Sequence, residues 1–114
     1  MYQTQVLKCA AATNTFYLTV PVKARILGAS WTSDADPGGN KTVVVKPAGG
    51  NNIVTGNISA TPGTIVKGTV TATLADAIAP VSPTLAIAVV LTTSNVCNVS
   101  LTLDLDEFVK TTAT

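Results

Sequence analysis

Residues 97–106 read CNVSLTLDLD. Apolar residues occupy every odd position from Cys97 to Leu105, and polar residues occupy every even position from Asn98 to Asp106. Successive side chains of a β-strand point to opposite faces, whereas an α-helix repeats every 3.6 residues. Strict alternation over ten residues therefore predicts a strand with one buried side and one side facing solvent.

Seven more strand-like runs precede this segment, with turn-forming residues between them. The sequence predicts them at residues 2–9, 15–22, 25–32, 41–46, 53–58, 66–74 and 85–91. The clearest turns are SDADPGGN at residues 33–40 and GGNN at residues 49–52. Pro80 and Pro83 argue against a long helix in residues 75–83. We therefore expect about eight strands in a single domain over residues 1–114.

The composition supports an all-β fold. The chain contains 19 Thr and 15 Val, while charged residues make up only 11% of it. Both residue types branch at Cβ and suit a pleated, half-buried surface better than a helix. A hydrophobic fraction of 46% is enough for a core and excludes intrinsic disorder.

Charge and histidine content exclude several classes of function. The chain has seven basic and six acidic residues, which give a net charge of +1, and it has no histidine. Nucleic-acid binding needs a concentrated basic patch, and catalytic triads need histidine. No apolar run approaches the ~18 residues of a membrane helix, and Lys8 interrupts the first apolar stretch, so no export signal is expected. We expect no enzymatic activity, no cofactor, no nucleic-acid partner and no membrane partner.

Eight short strands in about 110 residues predict a two-sheet antiparallel β-sandwich. The two candidate topologies are the jelly roll and the immunoglobulin-like sandwich. Immunoglobulin domains have two cysteines about 60 residues apart, whereas Cys9 and Cys97 lie in the first and last predicted strands. Those strands are antiparallel neighbours in a jelly roll, so we favour that topology. It predicts that Cys9 and Cys97 form a close pair, which we expect to be reduced in a reducing cytosol.

Two groups of acidic residues invite a functional interpretation. Asp34 and Asp36 have the spacing of a calcium loop, but Gly38 stands where the third ligand is needed. Asp104, Asp106 and Glu107 have spacing compatible with a glycosidase pair, but no aromatic-lined cleft accompanies them. The sequence favours a plain loop for the first group and a solvated or intersubunit salt-bridge face for the second. We predict no metal site and no catalytic residues.

The run at residues 85–91 has no polar face. Leu85, Ile87, Val89 and Leu91 alternate with a second apolar set, namely Ala86, Ala88 and Val90. One interpretation is that Ala86, Ala88 and Val90 form an oligomer interface. The alternative is that residues 75–83 fold over them, and the sequence favours neither.

The chain resembles the decoration (cement) and auxiliary head proteins of tailed bacteriophages. The stretch GASWT at residues 28–32, the turn after it and KTVVV at residues 41–45 are similar to the early strands of phage jelly rolls. Residues 96–108 are similar to a closing strand. The likeness is one of composition and layout over nearly the whole chain, without a diagnostic motif.

The resemblance implies a structural virion protein. Such proteins typically form homotrimers on the outer capsid surface and clamp neighbouring capsomers. It implies the major capsid protein as partner, assembly in the host cytoplasm and a final place on the virion. The alternative is a carbohydrate-binding virion module, associated with a tail or a head fibre. A cupin-type enzyme would need clustered histidines, which the chain lacks.

Overall fold

The computed structural model describes residues 2–9, 14–19, 24–39, 41–70, 86–93 and 95–105. These residues form nine β-strands. The strands are β1 (Tyr2–Cys9), β2 (Thr15–Leu18), β3 (Ala24–Ser33), β4 (Thr42–Pro47), β5 (Val54–Asn57), β6 (Val66–Lys67), β7 (Thr69–Val70), β8 (Ile87–Leu91) and β9 (Cys97–Leu105). The all-β prediction is confirmed, with nine strands in place of about eight.

The strands form two antiparallel sheets. One has four strands in the order β1-β9-β3-β6, and the other has five in the order β2-β8-β4-β5-β7. The pairs β1–β9, β2–β8, β3–β6 and β4–β5 are nested, as in a long two-stranded ribbon folded over itself. This nesting is the jelly-roll arrangement, so the predicted topology is confirmed.

The strand β9 provides the centre of the four-stranded sheet, as its alternation predicts. Cys97, Val99, Leu101 and Leu103 are fully buried, while Asn98 and Thr102 face solvent. On the opposite sheet, the larger buried side chains of β4 and β8 come from alternate positions. They are Val43, Val45, Ile87, Val89 and Leu91. The interior is therefore lined by one face of each sheet, which leaves the two outer faces to meet solvent or partners.

The described part of the predicted sixth strand, residues 66–70, is two strands in different sheets, and residues 71–74 lie outside the described residues. Its first half, β6, pairs with β3, and its second half, β7, pairs with β5. The break lies at Gly68, whose N–H donates to the carbonyl of Ala29 at 2.8 Å. The alternation of residues 66–74 does not reveal this change of sheet, because Val66, which pairs with Trp31, and Val70, which pairs with Val54, occupy positions of the same parity.

Trp31 is the largest buried side chain and fills the space where the chain changes sheets. It is 1% exposed, and its indole N–H donates to the carbonyl of Asn57 at 3.0 Å. Gly56 and Gly68 lie directly against its ring. A Cβ at Gly56 would lie 2.7 Å from Cζ2, and one at Gly68 would lie 2.8 Å from Cη2. Both glycines are therefore required by close approach to Trp31.

Candidate functional site

The outer face of the five-stranded sheet carries few charged residues in the described strands. Residues paired across neighbouring strands point to the same side. Along one row, Thr15 faces Val90, Val90 faces Val44, and Val44 faces Thr55. All four side chains are partly exposed. The centre of this face is thus two valines with a threonine on each side.

The residues predicted as an interface, Ala86, Ala88 and Val90, lie on or beside this face. Ala86 and Val90 are half-buried, whereas Ala88 is only 3% exposed. Ala88 lies between Tyr17 of β2 and Lys46 of β4 in the register of the sheet. Ala88 therefore offers little surface of its own. The alternative cover, residues 75–83, lies outside the described residues.

Tyr17 is the exposed apolar group of this face that sequence reasoning missed. It is 61% exposed and lies on β2, an edge strand of the five-stranded sheet. The signal was available, because the alternation of Phe16 and Leu18 already assigned Tyr17 to the outer side. An exposed tyrosine beside half-buried valines is typical of the residues that anchor protein interfaces.

The outer faces of the two sheets differ in charge. The described strand residues on the five-stranded face are Thr15, Tyr17, Thr42, Val44, Lys46, Thr55, Asn57, Thr69, Ala88 and Val90. Only Lys46 among them is charged. The four-stranded face carries four charged residues among its described strands, namely Lys8, Arg25, Lys67 and Asp104. Because interface cores are depleted of charge, the five-stranded face suits a protein partner better.

The acidic loop predicted at residues 34–40 is described as far as Gly39, and hydrogen bonds within it and from Asn95 hold it. The Asp36 carboxylate accepts a hydrogen bond from the Gly38 N–H at 2.9 Å. The Asn95 amide donates to the carbonyls of Ala35 and Asp36, at 3.4 and 2.9 Å. In the described ranges, no group of three or more Cys, Asp or Glu residues could hold a metal ion.

The second acidic group is described only in part. Asp104 lies in β9, is half-buried and stands opposite Arg25 of β3. Asp106 and Glu107 lie outside the described residues. The structure therefore places Asp104 across from a basic residue of the same chain, and the solvated or intersubunit salt-bridge face stays a prediction.

Cys9 and Cys97 lie directly opposite each other where β1 pairs with β9, and Ser33 of β3 stands opposite Cys97 on its other side. Both cysteines are free and buried. Burial, and secondly the nearby Cys97, raise the pKa of Cys9 to about 11. The pKa of Cys97 is also raised, mainly by burial. A hydrogen bond from Ser33 lowers this pKa, and the charge of Asp34 raises it.

A shallow depression marks the outer face of the four-stranded sheet. It has a volume of about 130 Å³ and is lined by Ser30, Trp31, Thr32, Ile65, Asn98 and Ser100. Ile65 is 72% exposed at its edge. Hydroxyl and amide groups beside an apolar side chain can hydrogen-bond a polar ligand, although the depression is smaller than an ordinary ligand pocket.

None of the described segments forms a helix long and apolar enough to cross a membrane. No protein-family model and no curated protein matches the sequence. Among solved structures, the chain is similar to one described as "Cyanophage Pam1 capsid asymmetric unit". That similarity has a TM-score of 0.49 at 18% identity, and it covers 92% of this chain and 82% of the other. A likeness at this level carries no argument about function.

Proposed function

We propose that the protein is a structural component of a tailed-bacteriophage head. In this proposal it decorates the outer capsid surface as a homotrimer and stabilises the contacts between capsomers of the major capsid protein. The observation that carries the proposal is the outer face of the five-stranded sheet, with exposed Tyr17 at its edge and Val44 and Val90 at its centre. The jelly-roll topology agrees with what the sequence resemblance implies, but a fold alone does not fix a function.

The position of Tyr17 on an edge strand supports a subunit contact. The strand β2 pairs only with β8, so its other side presents unpaired backbone groups among the described strands. Open edges invite uncontrolled pairing unless they are covered. A closed trimer in which this edge and the adjoining apolar face meet the next subunit would cover both.

Trimeric symmetry would also explain how a small protein with few charges can bind a capsid strongly. One contact of modest affinity becomes a strong attachment when two more are linked to it, because the second and third binding events are intramolecular. Occupancy of the capsid would then depend on the trimer remaining intact. A monomer would bind weakly or not at all.

A matched pair of substitutions tests this proposal. Tyr17 and Val6 are both exposed apolar residues on edge strands, at 61% and 66% exposure, but they belong to different sheets. Tyr17→Glu should sediment as a monomer and fail to raise the heat resistance of capsids assembled without the protein. Val6→Glu should remain trimeric and protect capsids as the unchanged protein does. Far-ultraviolet circular dichroism verifies that both variants are folded.

The opposite pattern would contradict the proposal. If Val6→Glu loses capsid protection while Tyr17→Glu keeps it, the four-stranded sheet provides the contact surface. If the unchanged protein is monomeric at high concentration and does not bind the capsids, the decoration proposal is wrong.

The second candidate function is carbohydrate binding by a virion module. One observation favours it, namely the depression lined by the hydroxyls of Ser30, Thr32 and Ser100 and the amide of Asn98. Glycan-array binding that is lost in Asn98→Ala, with capsid binding absent, would promote this candidate over the first. The four-stranded face would then be the functional one.

A further inference from the structure

At one end of the four-stranded sheet, three small side chains that carry sulfur or oxygen lie side by side and face the interior. Cys9 ends β1, Cys97 begins β9 directly opposite it, and Ser33 ends β3 on the other side of Cys97. Their exposed fractions are 1% for Cys9, 0% for Cys97 and 3% for Ser33. The only two cysteines of the chain are thus cross-strand partners, although they are 88 positions apart in the sequence.

This placement is close to the geometry that a disulfide requires. Directly opposed residues of an antiparallel pair have Cβ atoms about 4.5–5.5 Å apart, whereas a disulfide holds them at about 3.5–4.5 Å. The two atoms must approach by about 1 Å. These two residues are the last described pair of β1 and β9, so the approach affects one end of that ladder, where Cys97 also pairs with Ser33.

We propose that Cys9 and Cys97 are a redox-modification site, which closes into an intramolecular disulfide between the first and last strands when the protein meets oxidising conditions. The inference does not depend on the proposed function. Oxidising surroundings are those found outside the cell, where disulfides form and persist. Closing the bond would link β1 covalently to β9 and restrict the conformations of the unfolded chain.

A low-molecular-weight disulfide, such as oxidised glutathione, serves as the oxidant. The thiolate of one cysteine attacks a glutathione sulfur, which forms a mixed disulfide and releases one glutathione thiolate. The second cysteine thiolate then attacks the protein sulfur of that mixed disulfide and releases the other. Two cysteine protons are transferred to two glutathione molecules, the cysteines are oxidised, and oxidised glutathione is reduced.

Burial makes this reaction slow in the closed sheet. Neither sulfur is accessible to a reagent, and the raised pKa of Cys9 keeps the reactive thiolate scarce at neutral pH. The reaction therefore requires the end of β1 to separate transiently from β9. The same burial protects the finished bond from reductants, so that oxidation is slow to occur and slow to reverse.

The test follows the thiols directly. Reduced protein is incubated with a glutathione redox buffer, with and without a low concentration of urea. It is then unfolded in concentrated guanidinium chloride that contains N-ethylmaleimide, so that buried thiols also react, and is weighed as an intact chain. The proposal predicts that the species with two adducts is replaced by a species with none, whose mass is about 2 Da below that of the reduced, unlabelled chain. This conversion should be faster in the sample that contains urea. A peptide linking Cys9 to Cys97 identifies the bond, and Tm rises by about 10 °C.

Single variants provide the control. Cys9→Ala and Cys97→Ala should show no Tm change on oxidation. If either variant fails to fold, the adduct count and the linked peptide of the unchanged protein still decide the question. Persistence of two adducts in the urea sample would overturn the proposal, and so would conversion only to glutathione adducts or to disulfide-linked dimers.

Discussion

Replacing Gly68 by alanine tests how the chain passes from one sheet to the other. A Cβ at this position would overlap Cγ1 of Val54 and would lie 2.8 and 2.9 Å from Cη2 and Cζ3 of Trp31. Ordinary carbon contacts are about 3.5–4.0 Å, so the overlap amounts to about 1 Å. Val54 and Trp31 are 0% and 1% exposed, and both are packed within the core.

The expected loss of stability follows from these contacts. Overpacking of this kind costs about 1–3 kcal/mol, and two buried neighbours place Gly68→Ala near the upper end. Alanine recovers about 0.4–1 kcal/mol by restricting the unfolded chain. The net free energy of unfolding should fall by about 2 kcal/mol, which corresponds to a Tm lower by about 8 °C.

Gly28→Ala is the matched control. Gly28 lies in β3, a Cβ added there would have no heavy atom within 4 Å, and the residue is not among the glycines with positive φ. This variant should be as stable as the unchanged protein or more stable by up to about 1 kcal/mol. Urea unfolding monitored by the fluorescence of Trp31, the single tryptophan, measures both variants at one protein concentration. Equal stability of Gly68→Ala and Gly28→Ala would refute the close packing of Gly68 against Trp31.

Three further predictions concern the thiols and the loop at residues 34–39. Because the pKa of Cys9 is raised from 9.0 to about 11, the reduced protein should keep its full stability below about pH 9 and lose up to about 3 kcal/mol as the pH rises to about 11. In Cys9→Ala, the free energy of unfolding measured in urea should decrease less over that pH range. If the free energy of unfolding decreases equally with pH in both proteins, the pKa of Cys9 is not raised. Asn95→Ala removes the amide that donates to Ala35 and Asp36, so hydrogen exchange of the loop should accelerate while global stability falls by about 1 kcal/mol. Treatment with EDTA should leave Tm unchanged, and a large decrease would mean that the loop holds calcium.

Strand positions were predictable where one face is apolar and the other polar. Alternation in β9 identified the buried set from Cys97 to Leu103 because period two and burial coincide there. In β8 both alternating sets are apolar, so alternation alone did not separate the two faces, and the structure shows that the set with Ile87, Val89 and Leu91 is the inner one. The jelly-roll choice followed from placing the first strand beside the last, and the observed strand order confirms it.

The change of sheet at Gly68 could not be predicted from the pattern. Whether an inward-facing residue pairs with β3 or β5 depends on contacts with Trp31 that are distant in the sequence. The limited exposure of Ala88 is a tertiary effect of the same kind, since Tyr17 and Lys46 flank it only once β2 and β4 pair with β8. The apolar pattern identified the correct strand, and the alternation of Phe16 and Leu18 placed Tyr17 on the outer side, but the position of Tyr17 next to Ala88 follows only from the pairing of β2 with β8.

The number of copies bound per capsid at saturation tests the proposed function most directly. Capsids assembled without the protein are titrated with it, separated from free protein by sedimentation, and quantified by mass. A decoration trimer predicts saturation at a whole multiple of three copies per capsid unit, together with increased resistance of the capsid to heat. Binding that never saturates, or a plateau that is not a multiple of three, would contradict the decoration proposal.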